Sequence, residues 1–255
     1  MKNLFDISGK VALVTGGSRG IGEMIAAGYV QNGAKVYISS RKQAACDATA
    51  ARLSQSGTCI SLPHDLSRME GIAGLAADLA KRERRLDILV NNAGAAWGAP
   101  LEEYPESGWD KVMDLNLKSV FYLTQKLLPL LRAAATPHAP SRVINIASVE
   151  GLTPPSWENY AYPASKAGCL MLTRHLAQRL ASDHILVNAI APGPFPSQMT
   201  AFLLEHRGEE MRENNPLKRF GEPEDMAGVA IFLASRASAY LTGACVPCDG
   251  GIAEV

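Results

Sequence analysis

The sequence predicts an α/β fold: a single doubly wound parallel sheet of about seven strands, with helices on both faces. Three observations predict it. Short apolar runs alternate with longer helical stretches along all 255 residues. Several of those runs are almost wholly apolar, the pattern of strands covered on both sides. A glycine-rich turn, Gly16-Gly17-Ser18-Arg19-Gly20-Ile21-Gly22, joins the first run to the first helical stretch. Repeated strand–helix order favours parallel pairing with right-handed crossovers.

The elements follow in order. Residues 11–14 read as the first strand and 20–32 as the first helix, with Gly33 as its C-cap. Residues 35–39 form the second strand, and 42–54 an Ala-rich helix. A weaker strand covers 59–62, a helix 68–84, and the fourth strand 86–90. A long helix spans 109–132, where Pro129 is expected to kink or shorten it. Residues 142–147 and 185–190 are strands, separated by a helix over 160–181. The helix 223–234 has Pro223 at a favourable first-turn position, and 244–248 supply a seventh strand. No fixed-period repeat or low-complexity linker interrupts the chain, so 1–255 reads as one domain. Loops are expected at 133–141, 151–156 and 192–197. The last two lie at the sheet edge where such folds bind ligands.

Composition narrows the partners. Twenty-five basic residues balance twenty-five acidic ones, which gives no nucleic-acid footprint. No run approaches the ~20 apolar residues of a membrane span. Residues 1–10 carry Lys2, Asp6 and Lys10 and lack the apolar core of a secretory leader. Five cysteines, an odd number without dense spacing, suit reduced thiols in a cytoplasm. Cys245 and Cys248 form a Cys-x-x-Cys, but no helix start follows, so they read as strand residues. The five histidines lack metal-ligand spacing, and no metal is expected.

Gly16, Gly20 and Gly22 let the backbone turn tightly and approach a pyrophosphate, while the following helix offers free amides and a positive dipole end. This predicts a Rossmann-type dinucleotide site. An NAD-selective site would place an acid at the end of the second strand. Here that strand runs into Ser39-Ser40-Arg41-Lys42. Arg41 and Arg19 suit the forked binding of a 2′-phosphate. NADPH is therefore expected over NADH.

Tyr162 and Lys166 are four residues apart in a predicted helix, so they share a face. A cation at ~4 Å, with effective dielectric ~20, would supply ~4 kcal/mol toward the phenolate, against a desolvation cost. Lys166 is thus expected to make Tyr162 a usable acid near neutral pH. Ser148 ends the 142–147 strand, where its hydroxyl can donate to a substrate oxygen.

These motifs together resemble the short-chain dehydrogenase/reductase family. The resemblance runs through Thr15-Gly16-Gly17-Ser18-Arg19-Gly20-Ile21-Gly22, Asn91-Asn92-Ala93-Gly94, Asn116, Ser148, Tyr162, Lys166, Pro192-Gly193 and Asp249-Gly250-Gly251. It implies that Tyr162 is the acid/base and that Lys166 tunes it and binds ribose. Ser148 would stabilise the substrate oxygen, and Asn116 would support a water-linked proton relay. It also implies that Asp65, followed by Leu66, contacts adenine and that Asn92 steadies the central strand. Ser18, Ile21, Ser40, Ala93, Gly94, Pro192, Gly193, Phe195 and Ser197 complete the expected cofactor cleft. Ser197 stands where the family commonly has a Thr near the carboxamide.

Trp97, Glu150, Leu152, Trp157, Tyr160, Met199 and Phe202 are expected around the substrate, with 193–220 acting as a loop or lid. Glu150 departs from the small or apolar residue usual two places after the serine. It would either repel an anionic substrate or face water. Through Val14-Thr15-Gly16-Gly17-Ser18-Arg19-Gly20-Ile21-Gly22, Arg142-Val143-Ile144-Asn145-Ile146 and Pro194-Phe195-Pro196-Ser197-Gln198-Met199-Thr200 the chain resembles 3-oxoacyl reductases of the rhamnolipid-associated type, which implies a ketone or acyl substrate and a homotetramer. Other readings remain at this stage. They are an alcohol dehydrogenase, a sugar or steroid reductase, a methyltransferase, and a non-catalytic NADP-binding regulator.

Overall fold

A computed structural model describes residues 3–198 and 200–253, leaving aside the side chains of 202–204. Seven parallel strands form one sheet in the order β3-β2-β1-β4-β5-β6-β7. They are β1 (Val11–Thr15), β2 (Lys35–Ser39), β3 (Thr58–Ser61), β4 (Ile88–Asn91), β5 (Ser141–Ile146), β6 (Ile185–Pro192) and β7 (Cys245–Cys248). Chain order reverses between β1 and β4, which opens a crevice at their carboxyl ends.

Alternation sorts each strand between two cores. Ala12 and Val14 of β1 face one core with Val36, Ile38 and Val90. Helices α1 (Gly20–Gln31) and α8 (Pro223–Ala234) cover it with Ile25, Tyr29, Met226 and Leu233. Val11 and Leu13 face the other core with Leu89, Val143 and Val187. There α3 (Met69–Arg82), α5 (Ser119–Ala134) and α6 (Ala161–Leu180) contribute Leu75, Leu79, Leu127 and Leu180. All five β1 residues and all six of β5 are buried, including the polar Ser141, Arg142 and Asn145 of β5. Helix α2 (Gln43–Leu53) lies beside β3.

Helix α1 meets α8 closely at Gly28. A Cβ there would lie 2.6 Å from the Ala227 Cβ. Tyr29, the next residue, donates from its hydroxyl to the Ala230 carbonyl at 3.0 Å.

Two elements differ from expectation. The helix predicted over 109–132 is α4 (Glu106–Met113), a widened π turn at Asp114–Lys118, and α5. Pro129 lies on the exposed side of α5 without ending it. The expected lid contains a helix, α7 (Ala201–Asn214), whose exposed Arg207–Glu210 and Arg212–Glu209 pairs are three residues apart.

Candidate active site

The glycine turn sits at the carboxyl end of β1. Gly16 and Gly20 have φ of +64° and +55°, a region that side chains rarely enter. A Cβ on Gly22 would stand 2.4 Å from the Gly16 carbonyl oxygen. The first turn of α1 receives no side-chain cap from Arg19. A cradle closed to any Cβ, beneath uncapped helix amides, fits a dinucleotide pyrophosphate. Asn92 finishes the cradle. Its Nδ2 donates to the Thr15 carbonyl at 2.9 Å, and its backbone amide donates to the Thr15 Oγ1 at 2.9 Å. The Ala93 amide reaches the same oxygen at 3.0 Å. The Thr15 hydroxyl thereby ties β1 to β4, a role not singled out in the sequence.

The flanking residues are distributed as follows. Ser40, Arg41 and Lys42 follow β2, and Arg41 and Lys42 are exposed. Among the described residues, neither cation has an ion-pair partner. Arg19 donates to the Gln198 side chain and so links the cradle to the lid. Ser18 offers its carbonyl to Thr49 at 2.9 Å, and Ile21 packs partly buried against the α1 core. Asp65 caps its own turn by accepting from the Ser67 amide and hydroxyl, and Leu66 is buried behind it.

Tyr162 lies in the first turn of α6, open in part to the cleft, and Lys166 lies one turn later. Lys166 Nζ is 5.5 Å from the Tyr162 ring centre, so the two share a face. Lys166 is 4% exposed and donates to the Ile146 carbonyl at 2.7 Å. Ser148 follows β5, and its hydroxyl hydrogen-bonds to the Tyr162 phenol.

The electrostatics correct the sequence expectation. Burial, reinforced by the Glu150 carboxylate, pushes the Tyr162 phenol up to about 12, and only the Ser148 bond opposes this. Burial also lowers the Lys166 ammonium from its ordinary value. The ammonium points at the Ile146 carbonyl, and desolvation outweighs its attraction for a phenolate.

Asn116 sits in the π turn and is 1% exposed. Its Oδ1 accepts from the Ala95 amide at 2.8 Å. Its Nδ2 donates to the Ala95 carbonyl at 2.9 Å and to the Ser165 hydroxyl at 3.0 Å. Ser165 in turn donates to the Tyr162 carbonyl at 2.7 Å. The Asn116 side chain is thus a strut from the β4 loop to α6, with its bonding committed. Gly94 lies against it; a Cβ there would be 3.3 Å from Asn116 Oδ1.

Glu150 turns inward. Its backbone amide donates to Ser148 Oγ at 3.2 Å, and its carboxylate accepts from Asn159 Nδ2 at 2.7 Å and from Trp157. The carboxylate is half-buried and bonded to the protein, so it is not left wholly to water. Tyr160 hydrogen-bonds to Glu158 at 3.0 Å and packs edge-on against Tyr104. Leu152 is 41% exposed. Trp97, half-buried, packs beneath Gly108 of α4, where an added Cβ would lie 2.6 Å from its ring.

Beyond β6, Pro192 and Gly193 run against β7, where Gly193 donates to the Cys248 carbonyl at 3.0 Å. Phe195 is 2% exposed and lies over Gly221, so its ring belongs to the core. Its carbonyl accepts from Thr200, which also pairs with the Ser197 hydroxyl at 3.0 Å. Met199 lies outside the described residues, as does the side chain of Phe202. Asn159 and Thr200 organise the site without any local sequence signature.

Comparisons with known proteins agree with this architecture. A family profile described as enoyl-(acyl carrier protein) reductase matches residues 16–253. The rhamnolipids biosynthesis 3-oxoacyl-[acyl-carrier-protein] reductase of Pseudomonas aeruginosa is 51% identical over 253 residues, covering 98% of this chain and 99% of the relative. The 2-dehydro-3-deoxy-D-gluconate 5-dehydrogenase of Dickeya dadantii is 36% identical, covering 98% and 97%. The solved Pseudomonas aeruginosa RhlG/NADP active-site complex superposes with a TM-score of 0.96 at 51% identity, covering 100% of both chains. With its glycine cradle and its Ser148, Tyr162 and Lys166 in register at the sheet edge, this chain belongs to the short-chain dehydrogenase/reductase family.

Proposed function

We propose that this protein is an NADPH-dependent ketoreductase acting on 3-oxoacyl or β-ketoester substrates. The carrying observation is the Ser148–Tyr162 hydroxyl pair, with Lys166 behind it, on the same sheet edge as the glycine cradle. NADPH, when bound in the glycine cradle, would supply the hydride that reduces the carbonyl carbon. Ser148 Oγ donates to the carbonyl oxygen as negative charge grows there. Tyr162 gives up its phenolic proton to that oxygen, and the Lys166 ammonium offsets the phenolate left behind. A phenol held near 12 is protonated at neutral pH and so carries the proton that reduction requires. Gly16, Gly20 and Gly22 would hold the pyrophosphate, with Asn92 bracing the loop. The unpaired Arg41 would hold the 2′-phosphate, and Arg19 would join it on leaving Gln198.

Three further assignments accompany this reading. Residues 193–220 close over the substrate as a lid within a single catalytic domain. The exposed Phe121 and Met171 on α5 and α6 meet other copies in a homotetramer. Five free cysteines suit a reducing cytoplasm. Among the described residues, no helix is long and apolar enough to cross a membrane.

NADPH and NADH oxidation, followed at 340 nm, test the reading on a 3-oxoacyl thioester, a β-ketoester, a 2-enoyl thioester and a keto-gluconate. The 3-oxo substrates should turn over with NADPH. Turnover confined to the enoyl or sugar-acid arm would overturn the assignment.

A further inference from the structure

Glu150 is an ionisable group built into the wall of the reaction site, and the proton-transfer chemistry does not use it. It lies in the single helical turn Val149–Gly151 that follows Ser148, and Ser148 Oγ accepts its backbone amide. Packing fixes that turn, since a Cβ on Gly151 would lie 2.8 Å from the Lys166 backbone carbon. The carboxylate points toward Asn159 and Trp157, and its charge is felt at both Tyr162 and Lys166.

Asn159 is 8% exposed and faces the carboxylate with its NH2, while its Oδ1 has no partner. The Asn159 backbone carbonyl accepts from the Tyr162 amide at 2.8 Å, which ties this segment to the start of α6. The charged and titratable groups facing Glu150 are Lys166 and Tyr162, both from α6, with the Cys169 thiol behind Lys166. Strand β6, which also packs against this turn, contributes no ionisable side chain. Lys166 is the only cation in this group, and the catalytic pair engages it.

We infer that Glu150 is a charge filter: its inward carboxylate disfavours substrates with a negative charge beside the reacting carbonyl, so the site selects neutral 3-oxoacyl esters and thioesters over free 3-oxo acids. The inference rests on the ketoreductase reading and names which members of that substrate class are admitted. The carbonyl oxygen must lie at the Ser148 and Tyr162 hydroxyls, and the Glu150 charge acts on Tyr162, so a free acid's carboxylate enters the field of Glu150. At an effective dielectric of about 20, like charges as far as about 10 Å apart disfavour a complex by on the order of tenfold. The loss applies to a carboxylate and not to its ester. Burial raises the Glu150 pKa, so the filter weakens as pH falls through that value and is complete above it.

The test compares kcat/KM for ethyl 3-oxohexanoate and freshly prepared 3-oxohexanoate in the same enzyme, between about pH 5 and pH 8. The ester/acid ratio cancels any general loss caused by a substitution. In the unsubstituted protein the ratio should rise with pH. In Glu150→Gln it should be flat and on the order of tenfold lower at the upper end, with the change in the acid's KM. A ratio that is the same in Glu150→Gln, or that keeps its pH dependence, overturns the filter while leaving the reductase intact. Turnover of neither compound by the unsubstituted protein overturns both.

Discussion

Tyr162 is held in its protonated form by burial and by a neighbouring carboxylate, and that has two measurable results. Tyr162→Phe removes the transferable proton while leaving the ring in place. Turnover should fall by ~10²–10⁴-fold, while NADPH still quenches intrinsic fluorescence; near-normal turnover would refute the assignment. The second result concerns stability. The folded pKa of about 12 lies above the unfolded phenol's value of about 10. The stabilising contribution is therefore complete below about pH 10 and is lost as pH rises toward about 12. Urea midpoints should fall across that window, and less steeply in Tyr162→Phe. Arg41 gives a third residue-scale expectation. Arg41→Ala should raise the KM for NADPH at least tenfold and barely change that for NADH, since a 2′-phosphate carries the difference. Equal changes in the two KM values would remove Arg41 from the cofactor site.

Among the elements, the contact of α1 with α8 depends on a missing side chain. Gly28→Val would place a branched Cβ against Ala227 and should cost ~1–3 kcal/mol, read as a lower urea midpoint. β1 was legible in the sequence because both its faces are buried and Val11–Val14 are all apolar; β5 was legible from its Val143, Ile144 and Ile146 despite the buried Arg142 and Asn145. The cradle was legible because Gly16 and Gly20 occupy backbone conformations that other residues avoid. The π turn at Asp114–Lys118 left no such mark. Its cause is tertiary: Asn116 reaches sideways to Ala95 and Ser165, a demand the local sequence does not display. Helix α7 was hidden by its charge, since its stabilising pairs read equally well as a solvated loop. The inward turn of Glu150 depends on Asn159, nine residues later, and on packing against Lys166. The pairing of Tyr162 with Lys166 was readable from spacing, but the sign of the phenol's shift was not, because spacing carries no information about burial.

At the scale of the whole molecule, exposed apolar side chains on α5 and α6 bear on assembly. Phe121 is 38% exposed and Met171 61% exposed. In the proposed tetramer they are covered, so light scattering should report four chains of 27.2 kDa. Met171→Glu should shift the mass toward smaller species; an unchanged mass would remove α6 from the interface. One feature of the sheet reaches beyond the finished protein. The Thr15 hydroxyl is bonded to backbone amides 77 and 78 residues further along. During synthesis the glycine turn leaves the ribosome early but lacks its brace until β4 has emerged. In a nascent chain the cradle therefore stays unbraced until more than a third of the polypeptide has been made, so its final shape belongs to the later steps of folding.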